Sequence, residues 1–128
     1  MQATAMRETN KEWGVVFAFN VEASDETKRE AEEGQVKIFE ENSLPEWQWF
    51  EEKMTYSNGL LPEALLLAYK KIPDPRYLEV ARASLDFLLL YSFNDLVCVP
   101  IGQNGWFTKG KKKYLHDQQP EEVAALVE

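Results

Sequence analysis

The chain has 128 residues, 45% of them hydrophobic and 12% aromatic, which is enough for one globular domain with a core. Its formal net charge is −8, so contact with phosphates brings no gain from counterion release, which argues against nucleic acid and anionic membrane surfaces as partners. A neutral partner is not disfavoured. With one cysteine, Cys98, and one histidine, His116, the chain can form neither an intrachain disulfide nor a Cys/His zinc cluster.

The start is polar and of mixed charge, with no apolar stretch after a basic one, and residues 1–23 read as a poorly defined lead-in. Within it, residues 13–19 are apolar and suit a short strand or an extended buried segment. No apolar run reaches membrane-spanning length, so no insertion is expected. The free thiol and the absence of a secretory signal fit a cytoplasmic protein.

A first helix is expected over residues 25–41, with Ser24 as N-cap and Asp25 and Glu26 at the positive end of its dipole. Its apolar stripe (Ala31, Val36, Ile38, Phe39) is thin, as on an outward-facing helix. A second helix is expected over residues 62–71. Its run from Ala64 to Tyr69 leaves almost no polar face, which predicts burial on all sides. Asp74 and Pro75 then supply the N-cap and first residue of a third helix, over residues 75–91. Leu78, Ala81, Leu85 and Leu88 mark its buried face, and Glu79, Arg82 and Asp86 its solvated one. Residues 97–101 and 105–108 suit a short β-hairpin. The basic run that follows (Lys109, Lys111, Lys112, Lys113) reads as a solvated turn. A fourth, apolar helix begins at Pro120 with Glu121 and Glu122 in its first turn, and has no glycine cap or basic last turn. The sequence therefore reads as an incomplete piece of a mainly α domain, ending within a helix.

Alternating helices bring the N-termini of the second and fourth to one end of a bundle, where the two long connections, residues 42–61 and 92–119, both open. Connections of this length are commonly functional. The first carries Trp47, Trp49, Glu51, Tyr56 and Asn58. The second carries Asn104, Trp106, Asp117, Gln118 and Gln119. Aromatic faces stack on pyranose rings, amides and carboxylates bond hydroxyls, and a carboxylate pair can serve as acid and base in glycoside hydrolysis, so the composition suits a saccharide cleft. Each residue also has a structural reading. Trp47 and Trp49 serve equally well as core anchors, Asp117 as a capping residue, Glu51 as a surface acid, Asn58 with Gly59 as a turn, and His116 as a polar loop residue.

Trp47-Gln48-Trp49-Phe50-Glu51, the run from Tyr56 to Leu65, Arg76-Tyr77-Leu78, Pro100-Ile101-Gly102-Gln103-Asn104-Gly105-Trp106 and Asp117-Gln118-Gln119-Pro120 together resemble a group within the six-hairpin, (α/α)6-toroid glycosidase superfamily. Members of this group often stand beside or are fused to glycosyltransferases. The resemblance covers about residue 44 onward. It implies a ring of outer and inner helices, with the second and fourth inner, a sugar cleft at one end, and more helices than the four read here. The chain would then be an open fragment of such a toroid, binding or processing an oligosaccharide. Asp117 and Glu51 are the candidate acid and base. Trp47, Trp49, Tyr56 and Trp106 would stack on sugar, and Asn58, Asn104, Gln118 and Gln119 would orient hydroxyls. No metal or cofactor is expected. The competing expectations are a non-catalytic module holding a glycan for a glycosyltransferase, and a helical interaction module. Exposed apolar residues such as Leu66 or Leu126 would promote self-association.

Overall fold

A computed structural model describes residues 24–127, and the apolar segment 13–19 lies outside the described residues. The architecture is mainly α. Helix α1 (Asp25–Asn42) starts where the Ser24 hydroxyl accepts the Thr27 amide at 3.2 Å, and it buries only Val36 and Phe39. Strand β1 (Lys53–Met54) follows, and helix α2 (Leu60–Lys71) begins two residues before the expected Pro62. Pro62 still falls in the first turn, where its missing N–H has no intrahelical role.

Burial of α2 on all sides is not observed. Pro62, Leu65 and Ala68 are buried, whereas Leu66 and Tyr69 are half-buried and Leu67 is 50% exposed. The main partner of α2 is helix α3 (Pro75–Ser92), joined to it through residues 72–74, with smaller contacts to α1. Asp74 caps α3 by accepting the Arg76 amide at 3.0 Å, and Pro75 supplies the first turn. A connection this short between helices packed together makes an antiparallel hairpin. The inward face of α3 carries Tyr77, Val80, Ala81, Ser84, Phe87 and Leu88. Leu78 and Leu85, expected there, are half-buried. The stripe is turned by about one residue because the Tyr77 and Phe87 rings, rather than leucines, fill the centre of the core.

The expected hairpin between residues 97–101 and 105–108 does not form. Strand β2 (Phe93–Asn94) pairs with β3 (Val97–Cys98) around Asp95, whose φ of 54° supplies the tight turn. Strand β4 (Phe107–Thr108) pairs antiparallel with β1, Met54 facing Phe107 and Lys53 facing Thr108. Helix α4 (Pro120–Val127) ends the described chain. Trp47 lies edge-on to both Phe87 (5.2 Å between centroids) and Phe107 (5.0 Å), and Phe39, Trp49 and Phe50 extend this aromatic core toward α1.

The basic run is more than a solvated turn. Lys111 and Lys112 are exposed, but the Lys109 ammonium donates to the Asn42 carbonyl at the end of α1 (2.9 Å). Lys113 donates to the Tyr91 carbonyl at the end of α3 and to that of Val99 (2.6 Å). Carbonyls at helix C-termini lack intrahelical donors, and a cation there also meets the negative end of the dipole. Partial burial pushes the Lys113 pKa down from its ordinary value. Among the described residues no helix is long and apolar enough to cross a membrane.

Candidate functional site at the meeting of two loops

Pairing of β1 with β4 joins the two long connections, and their aromatic residues meet beyond the strands. Tyr56 lies beside Trp106, ring centroids 6.0 Å apart and planes tilted by 42°. These rings, with Gln103, Gln119 and Glu121, line an open pocket of about 250 Å³. Gln119 donates its amide to the Gln103 side-chain carbonyl at 2.7 Å, so the two amides form one polar wall.

The loop that carries Trp106 is held in an uncommon backbone shape. Trp106 has φ 59°, a left-handed conformation that is a genuine outlier for a bulky aromatic residue. Its amide donates to the Gly102 carbonyl (3.0 Å) and its carbonyl accepts from Tyr114 (3.1 Å). A side chain at Gly102 would collide with the His116 carbonyl, its Cβ only 2.1 Å from that oxygen, so the loop closes on itself only because this position is glycine. Strain of this kind persists where surrounding bonds over-determine it, and here it fixes the indole at the pocket wall.

A buried carboxylate locks the first connection to α4. Glu122, 1% exposed, accepts at one oxygen from the Asn58 side-chain amide (2.8 Å) and from the Asn58 backbone N–H (3.3 Å). Its second oxygen is buried with no hydrogen-bond partner. Burial pushes the Glu122 pKa above the ordinary 4.5, while the Asn58 side chain and the backbone amides of Asn58 and Ser57 pull it back. Gly59 packs so closely on α4 that a Cβ there would sit 1.9 Å from the Ala125 carbonyl oxygen. The N-terminus of α2 thus rests on α4, with Asn58 held to Glu122 in its first turn.

The expected site residues divide into two groups. Tyr56, Trp106 and Gln119 border the pocket. Trp47 and Trp49 are core residues, 2% and 1% exposed, with no face open for stacking; the Trp47 indole N–H donates to the Glu51 carbonyl at 2.7 Å. Asn58 is buried and committed to Glu122, so it orients protein rather than ligand. Asp117 and Glu51 do not border the pocket. Asp117 sits exposed on a left-handed turn (φ 58°), where its carbonyl accepts the Gln103 amide, and Glu51 is half-buried on the aromatic segment of Trp47. Gln118 bridges to Gly102 and bonds the Leu115 carbonyl, and Asn104 is exposed in the turn beside Gln103.

Sequence reasoning did not place Gln103 and Glu121 at the pocket, and took Glu122 only for a helix-end charge. A signal for Glu122 was present: it stands four residues before Leu126, hence on the same helix face, and Leu126 packs on the core. Among the described residues no three His, Cys, Asp or Glu side chains come together as metal ligands. No family model matches the chain, and no curated protein or solved structure shows significant similarity to it.

Proposed function

We propose that the chain is a carbohydrate-binding piece of an (α/α)6-type helical domain and that it holds an oligosaccharide at the Tyr56–Trp106 pocket. The observation that carries this reading is the pair of aromatic side chains flanking the pocket above two coupled amides and a carboxylate. Rings supply stacking area, while the amides and Glu121 match hydroxyl donors and acceptors. A holding role, in the service of a glycosyltransferase as the resemblance implies, is favoured over hydrolysis by this segment. Glycoside hydrolysis needs two carboxylates flanking one bond, and among the described residues a single one lines this pocket. The (α/α)6 assignment draws support from the helical hairpin and from apolar residues left outward on α2 and α4: Leu67, Val123 and Val127.

Trp106→Ala is expected to weaken oligosaccharide binding by about two- to twelvefold, the loss of one aromatic contact. Asp117→Asn should leave affinity unchanged. Titration followed by amide chemical shifts measures both, and retained affinity in Trp106→Ala would place the sugar elsewhere. The outward apolar residues predict concentration-dependent self-association in sedimentation velocity, reduced by Leu67→Lys.

A further inference from the structure

We propose that this pocket prefers saccharides bearing a free amino group over neutral ones, with Glu121 as the residue that sets the preference. The inference rests on the reading of the pocket as a saccharide site.

Among the described residues, the five lining side chains include one carboxylate and no cation. Gln119 and Gln103 spend one N–H and one lone pair on each other, leaving three N–H donors and three acceptor lone pairs, a balanced match for hydroxyls. Glu121 is different. Ionised, it only accepts, and a ligand that displaces its water must offer donors in return. A hydroxyl does so through a bond assisted by the carboxylate charge alone, whereas an ammonium brings an opposite full charge and adds Coulomb attraction to the bond. The same ammonium gains from the electron-rich faces of Tyr56 and Trp106. A uronic or sialic acid would instead meet Glu121 with no lining cation to neutralise it. The nearby basic run does not supply one: Lys109 and Lys113 are committed to backbone carbonyls, and Lys111 and Lys112 are not in the lining.

Two other charges bear on the balance. Glu121 stands in the first turn of α4, whose dipole places about half a positive charge there. That half charge offsets part of the Glu121 carboxylate charge without cancelling it. Glu122 is its chain neighbour and can only add negative charge.

The test uses the whole chain at low salt, with a chitosan oligosaccharide, the N-acetylated chitin oligosaccharide of equal length, and a cello-oligosaccharide, titrated by calorimetry. The chitosan oligosaccharide is expected to bind about fivefold tighter than the other two, the size of one exposed ion pair with a cation–π contribution. Glu121→Gln should remove that difference and leave the neutral affinities unchanged. Glu79→Gln, on the exposed face of α3, should keep it, separating a local preference from the general attraction of an acidic chain. Equal affinities for all three in the unaltered chain, or a preference that survives Glu121→Gln or disappears in Glu79→Gln, would overturn the inference and leave the saccharide site standing. Failure of all three to bind would remove the site itself.

Discussion

Trp47→Ala is expected to lower the free energy of unfolding by about 3–5 kcal/mol. The indole is wedged edge-on against Phe87 of α3 and Phe107 of β4, and its N–H reaches the Glu51 carbonyl. Truncation opens a cavity where a helix and a strand meet and leaves that carbonyl without its donor. Domains of this size have roughly 5–15 kcal/mol of total stability, so the loss is a large share of it. In urea, the midpoint should fall with little change in slope. A tryptophan serving as an exposed sugar platform would change stability by about 0.5 kcal/mol or less. A fall below about 1 kcal/mol would therefore return Trp47 to the surface. Because Phe107 adjoins Trp106, the same variant should also loosen the pocket wall, and its binding has to be measured under conditions where it is folded.

The contrast between Trp47 and Trp106 shows what the sequence could and could not disclose. Helix starts were legible because their chemistry is local: Ser24, Asp74 with Pro75, and Pro120 each act on backbone groups within a turn. The meeting of the two long connections followed from topology. Which aromatic residues face ligand did not. A tryptophan in a loop has the same composition signal whether it points in or out, and the decision rests on strand pairing between Met54 and Phe107, fifty-three positions apart along the chain. The mispaired hairpin has the same origin, since two-residue strands carry too little alternation to specify a partner. The motif around Asp117 points to a site residue, but that residue lies on a left-handed turn outside the pocket lining, while Gln119, two residues on, borders it. The burial of Glu122 depended on a partner in the other connection, Asn58.

Asn58 and Glu122 should together make the stability of the protein depend on pH in a direction opposite to that of ordinary acid denaturation. The Glu122 carboxyl is held above its ordinary pKa of 4.5 in the folded chain, so the folded state retains a proton that the unfolded state releases. Its contribution is therefore fully present below about 4.5 and is lost as pH rises through the folded value. Glu122→Gln cannot ionise and keeps an oxygen for the Asn58 amide. Its stability should match the unaltered protein at acidic pH, exceed it increasingly as pH rises from about 4.5 through the folded value, and stay above it by a constant amount beyond. Asn58→Ala acts in the other sense. It removes the 2.8 Å bond, leaves the carboxylate to backbone amides, and should cost about 1–3 kcal/mol. It also removes an interaction that lowers the Glu122 pKa, so the loss with rising pH should start at the same pH but extend to a higher one. Thermal unfolding of the three proteins across the acidic to neutral range measures both effects. Should Glu122→Gln prove less stable than the unaltered protein at neutral pH and no different in slope, the carboxylate would be a favourable ionised group. Its burial would then need another explanation.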